Sequence, residues 1–171
     1  MNAFQKLMEF ARRKVVPENP CRGEMKYKED YLLDHKVLQL IMNLHDWAFL
    51  GCERHVVVGN EFDAVAIAET FGGKPRFIAI ELKENDVVKV LRQAMIRSMY
   101  VHVAYAVLSS LDISNYTLPH IEKAVRSGIG IILYDPETMT KPKLIAGARV
   151  NKHPTLLNIF EDVLRKQYKL I

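Results

Sequence analysis

Three residues carry the chemistry this sequence can do: Asp63, Glu81 and Lys83. Glu81 and Lys83 close the run FIAIELKEN, Phe77 to Asn85, whose first half is apolar. Asp63 and Glu81 lie equally far from Gly72 in the turn-like FGGKPR, and Glu61 and Lys83 share that midpoint. A symmetric hairpin therefore sets Asp63 opposite Glu81. Strand side chains alternate faces, so Glu61, Asp63, Glu81 and Lys83 share one face. Phe62, Ala64, Ala66, Ile78, Ile80 and Leu82 share the other, which reads as the core side. Carboxylates directly opposed across a strand pair repel. A lysine offsets part of that, and a divalent cation offsets more. Mg²⁺ takes one or two carboxylates together with waters and substrate phosphates. A lysine beside it can hold or help deprotonate a water. These are the parts for metal-assisted hydrolysis of a phosphodiester. The bland alternative is a solvated Glu81–Lys83 pair worth less than ~1 kcal/mol, which leaves the opposed acids unexplained.

The elements that must position these groups are an α/β set. An amphipathic helix over residues 2–15 is followed by a loop, PENPCRGEMKYKED. DYLLDHKVLQLIMNLHDWAFLG has helical spacing, with Leu33, Val37, Leu40, Ile41, Leu44 and Ala48 on one face and Gly51 as its stop. RHVVVGNEFDAVAIAET reads as strand with a turn or bulge at Gly59-Asn60. FIAIELK is the next strand. Asn85 or Asp86 then caps a helix through Val87, Val88, Leu91, Met95 and Met99. VHVAYAVLS is a strand, LPHIEKAVRSG a short helix ending at Gly128, IGIILYD a strand and PKLIAGARV a further one. An amphipathic helix over 154–169 ends the chain. Early strand–turn–strand argues for a hairpin and later strand–helix–strand for parallel neighbours, giving a mixed sheet flanked by helices.

EFDAVAI followed by FIAIELK resembles the PD-(D/E)xK nuclease superfamily, the restriction-endonuclease-like fold, including its Holliday-junction-resolvase-like and Mrr-like branches. The resemblance implies an αβββαβ core with extra terminal helices. It implies that Asp63, Glu81 and the Leu82 backbone carbonyl bind Mg²⁺ or Mn²⁺. Lys83 would orient the attacking water, and Gln93, in the following helix, would position the lysine, the water or a phosphate. Glu61 precedes Asp63 as an acid does in some branches. Glu29, Asp30 and Asp34 are candidates for an additional acid from the first helix. The family's proline before the first acid is replaced by Phe62. The implied activity is a metal-dependent DNA endonuclease acting as a homodimer. The alternatives are a catalytically weak DNA-binding or scaffold module of the same fold, and an RNA endonuclease.

Composition sets the frame for that reading. The 171 residues are 49% hydrophobic and 26% charged, with a formal net charge of +4, consistent with one domain, residues 1–171, whose core spans roughly 29–135. The mild excess of base permits a polyanionic partner. Lys89, Arg92, Gln93, Ile96, Arg97 and Tyr100 fall on one side of the helix after the site, and Lys89, Arg92 and Arg97 are candidate nucleic-acid contacts. Arg12, Arg13 and Lys14, with Arg165, Lys166 and Lys169, can extend that footprint. Cys21 and Cys52 form no CxxC and read as free thiols. No run of about 18 apolar residues is present, so no membrane span is expected, and a cytoplasmic location is. The six histidines form no zinc-ligand spacing, and Gly72-Gly73 lacks the setting of a phosphate loop. No small-molecule cofactor is expected. Paired carboxylates also serve glycosidases, but the lysine between them and the small single domain argue against that.

Overall fold

A strand buried on both faces must be apolar throughout, and β5 (Pro75–Lys83) nearly is. The computed structural model describes residues 32, 35–45, 47–49, 55–57, 60–69 and 75–155. The expected helices over 2–15 and 154–169 lie outside these residues or almost wholly so, as do the 17–30 loop, the hairpin tip, both cysteines and the terminal basic clusters. The described elements before β5 are α1 (His35–His45), β1 (Trp47–Phe49), β2 (His55–Val57), β3 (Asn60–Phe62) and β4 (Ala64–Glu69). After it come α2 (Val87–Ser98), β6 (Val103–Leu108), α3 (Leu118–Arg126), β7 (Gly130–Leu133) and β8 (Lys143–Ala146). The molecule is a mixed α/β protein.

Its main sheet has the order β1-β4-β5-β6-β7-β8, and β2 and β3 form a separate pair. β4 runs antiparallel to both β1 and β5. β6 and β7 continue parallel to β5, and β8 returns antiparallel. The β4–β5 register, from Ala64↔Ile80 to Glu69↔Pro75, is the symmetric one read from the sequence.

Helices cover both faces of the sheet. Leu32, Val37, Leu38 and Ile41 pack against Ala64, Ile78, Ile80, Leu82, Val103, Tyr105 and Val107 on one face. Val87, Val90, Leu91 and Ala94 of α2, with Ala124 of α3, pack against Phe77, Ala79, Ala104, Ala106 and Leu108 on the other. That explains why VAYAVL in β6 is buried at every position.

Two sequence readings change here. The helix read through Ala48 stops at His45, and Ala48 pairs with Ile67 in β1. Apolar periodicity cannot separate the last turn of a helix from a short buried strand that follows it. The strand RHVVVGNEFDAVAIAET is three strands: β2 and β3 pair as a hairpin with Val57↔Asn60 at its tip, and β4 follows the bend at Asp63.

The helix ends follow local chemistry. Asp86 caps α2, its Oδ1 accepting from the Lys89 amide at 3.0 Å. α3 ends at Gly128, φ +83°, with Ile129 N–H donating to Ala124 C=O and Gly128 N–H to Val125 C=O. This paired 6→1 and 5→2 closure needs a left-handed residue.

Gly130 has a different constraint: a Cβ there would overlap the Tyr105 ring. Tyr105 is 1% exposed, and its hydroxyl lies 2.5 Å from His45 Nε2, joining β6 to the end of α1. Burial pushes the phenol up to about 12. Burial, with the nearby Arg76 charge second, pushes His45 down to about 4. The protonated phenol can therefore donate to a neutral imidazole.

Two outcomes follow. Gly130→Ala is expected to destabilise by about 1–3 kcal/mol, read as a lower urea midpoint. His45 protonates in the unfolded chain near pH 6.5 but in the folded one only near 4. Its contribution is therefore complete above pH 6.5 and is lost as pH falls towards 4. The loss should be on the order of 2 kcal/mol once partial exposure of the ring is allowed for. His45→Gln should flatten this part of the stability–pH curve, and an unchanged slope would refute the assignment.

Candidate functional site

The site is set where β4 begins and β5 ends. The last ladder pair is Ala64↔Ile80. One step further, β3 turns away to pair with β2, so the main chain offers β5 no strand there. Asp63 stands at that divergence, 7% exposed, and its Oδ2 accepts from the Leu82 amide at 2.8 Å. The carboxylate replaces the missing strand neighbour. In a strand the N–H and C=O of one residue leave on the same side, so the Leu82 carbonyl is directed to the same edge as Asp63. A sequence separation of 19 residues thus becomes a direct bond between two of the expected metal ligands.

Glu81 occupies the next outward position on β5 after Phe77 and Ala79, the face covered by α2. It is 1% exposed. The sequence reading named only the opposite face as the core side; α2 packs on this one as well. A carboxylate cannot be buried cheaply without a counter-charge. Arg97 of α2 supplies one, its Nε 3.2 Å from Glu81 Oε1. The Arg97 guanidinium also lies 5.8 Å from the centre of the Phe62 ring, within cation–π range. Phe62 meets Tyr100 edge to face at 6.5 Å.

These contacts correct two more expectations. Phe62 packs with Phe77, Ala79 and the α2 side chains, whereas Ala64 packs with Ile78 and Ile80 towards α1. The strict alternation that placed Phe62 and Ala64 on one face is broken by the bend at Asp63. Arg97, read as a nucleic-acid contact, is 8% exposed and turned inward to Glu81. The helix side that also held Lys89, Arg92 and Ile96 is consequently divided, because those three remain outside.

Lys83 follows Glu81 on the same face and is partly exposed. The segment after it is held to β6 through its carbonyls. Ser109 N–H donates to Lys83 C=O at 3.3 Å, and Ser109 Oγ donates to Glu84 C=O at 2.6 Å. Gln93 lies one helical turn before Arg97, on the same side of α2. Beyond the strand ends, Asn85, Asp86, Lys89, Arg92, Tyr116 and Thr117 line an open cleft of about 740 Å³. It begins two residues after Lys83. Tyr116, 71% exposed, joins the two expected cations there. The sequence held no signal for Tyr116, because it stands in a loop with no periodicity.

The backbone of Glu61 lies in β3, opposite Val56. Glu29, Asp30 and Asp34 lie outside the described residues. Among the described residues no group of three or more His, Cys, Asp or Glu side chains is placed to hold a metal ion. The candidate set is instead two carboxylates and a backbone carbonyl, all hard oxygen donors of the kind Mg²⁺ takes while keeping waters. No helix of the described residues is long and apolar enough to cross a membrane. No protein-family model, no curated protein and no solved structure matches the chain.

The Asp63–Leu82 bond has a direct consequence. Asp63→Ala leaves a buried amide without its acceptor, which costs about 1–3 kcal/mol, whereas Asp63→Asn keeps an acceptor oxygen and should cost less. Hydrogen exchange at the Leu82 amide should be slow in the native protein and in Asp63→Asn and accelerate in Asp63→Ala. Equal exchange in all three would show that the bond does not hold the junction.

Proposed function

We propose that the chain is a divalent-metal-dependent DNA endonuclease of the PD-(D/E)xK type. The observation that carries this reading is the symmetric β4–β5 register, which delivers Asp63 to Leu82, between Glu81 and Lys83. The element order adds support. With the intervening β2–β3 pair set aside, α1, β1, β4, β5, α2 and β6 run as a helix, three antiparallel main-sheet strands, a helix and a parallel strand. This supports the αβββαβ core that the resemblance implies.

Asp63, Glu81 and the Leu82 carbonyl would hold Mg²⁺ or Mn²⁺. When bound, the cation would activate a water and neutralise charge on a phosphate. The chain's own residues perform the remaining work. Asp63 is fixed by the Leu82 amide, so one of its oxygens is committed to structure and the carboxylate keeps a single orientation. Lys83 carries an ammonium at the partly exposed end of the strand, where it would orient the attacking water and stabilise the negative charge developing on the phosphate oxygens. Gln93, one helical turn before Arg97 on α2, would position the lysine, the water or a phosphate. Lys89 and Arg92 in the adjoining cleft neutralise flanking phosphates without reading sequence. Cleavage is expected to leave a 5′-phosphate, and a homodimer is the expected assembly.

A DNA-binding subunit without cleavage is the second reading. The buried Glu81–Arg97 pair favours it, because one of the two carboxylates already has a cation.

Purified protein offered duplex, nicked, flapped and four-way-junction DNA with Mg²⁺ or Mn²⁺ should cut at least one of them. Lys83→Ala and Asp63→Ala should each lower the rate by at least ~100-fold while leaving DNA binding largely intact. Cleavage that survives unchanged in either variant contradicts the assignment. Binding without cleavage by the native protein establishes the second reading.

A further inference from the structure

We propose that Arg97 is a positioning residue for the metal-binding carboxylate: it holds Glu81 in place before a divalent cation arrives and sets how tightly that cation is held. This rests on the nuclease reading above.

The geometry is that of a built-in counter-charge. Glu81 is buried on a face that α2 closes, with Arg97 Nε 3.2 Å from its Oε1. The two side chains are 1% and 10% exposed, so water screens their attraction little. Arg97 is itself held, with its guanidinium over the Phe62 ring and that ring braced by Tyr100. Phe62 is the residue before Asp63. One cation thus ties the segment bearing the first acid to the side chain of the second. A lysine could supply the charge but not the flat fork that both stacks and pairs.

The same contact acts on the metal. A divalent cation on Glu81 would share its carboxylate with a guanidinium only a few ångströms away, and like charges at that range repel strongly in a poorly hydrated site. Arg97 therefore lowers the affinity of the site while ordering it. This is useful in an enzyme that must bind its cation together with substrate phosphates, because the phosphates add the negative charge that outweighs the arginine. Removing the charge should disorder Glu81 in the metal-free protein and tighten cation binding. A purely structural role for Arg97 predicts loss of affinity.

The test is calorimetric titration of Mn²⁺ into the native protein, Arg97→Gln, Arg97→Lys and Phe62→Leu, without DNA, with thermal unfolding of each protein at zero and saturating Mn²⁺. Arg97→Gln is expected to bind Mn²⁺ on the order of tenfold more tightly than the native protein. It should melt lower without metal and gain more from added metal. Arg97→Lys, which keeps the charge, should stay within about threefold of native affinity. Phe62→Leu, which frees the guanidinium, should bind more tightly than native by a smaller factor, and it decides the matter if Arg97→Gln does not fold. Unchanged or weaker binding in Arg97→Gln, or in Phe62→Leu where only that variant folds, overturns the proposal. A native protein that binds no Mn²⁺ overturns the nuclease reading instead, and this inference with it.

Discussion

Burying one carboxylate constrains much of the rest of the structure. β5 is covered by α1 on one face and α2 on the other, so an acid near its end has no solvent to face. Glu81 is there and is 1% exposed. Its desolvation would cost several kcal/mol if uncompensated. Arg97 must therefore come inward from α2, Phe62 must lie beneath the guanidinium, and the chain must bend at Asp63 to put Phe62 and Ala64 on opposite faces. The bend in turn takes β3 out of the main sheet and leaves the Leu82 amide for the Asp63 carboxylate. A stability argument alone would have replaced the Glu–Arg pair by apolar side chains, since buried ion pairs seldom stabilise more than packing does. Retaining it is understandable if the carboxylate has chemistry to do.

Much of this was legible in the sequence, for identifiable reasons. The register followed from symmetry about Gly72, because hairpin pairing fixes the sum of partner positions, and every pair from Ala64↔Ile80 to Glu69↔Pro75 keeps that sum. The α2 cap at Asp86 and the α3 stop at Gly128 were legible because each is decided by one residue's local geometry. The face assignment failed at Phe62 because alternation holds only within an unbroken strand, and a bend at Asp63 leaves no mark in composition. That α2 covers the Glu81 face was not legible for a related reason: alternation places side chains on faces but does not say what covers each face. Arg97 was misread because helical spacing grouped it with Lys89 and Arg92. Its inward turn is dictated by Glu81, which is remote in sequence and reached only through packing. β1 was absorbed into α1 because three residues are too few to show a period.

Function and fold meet at the C-terminal ends of β5 and β6. The ladder delivers Glu81 and Lys83 to that end, α2 begins there with a capped first turn, and the serines after β6 hold the Lys83 and Glu84 carbonyls. The proposed metal ligands are thus carried on hydrogen-bonded strand ends, while the cleft with Lys89, Arg92 and Tyr116 opens beyond them on a helix start and a loop. This division suits a nuclease, in which the cutting atoms need fixed geometry and the contacts to a flexible polyanion do not.

The central claim is that the junction of β4 and β5 is a divalent-cation site. Anomalous diffraction from crystals soaked in Mn²⁺ tests it most directly. The account predicts a peak bounded by the Asp63 and Glu81 carboxylates and the Leu82 carbonyl, absent in crystals of Asp63→Ala. Saturating Mn²⁺ with no peak at that junction, or a peak that persists there in Asp63→Ala, would contradict it.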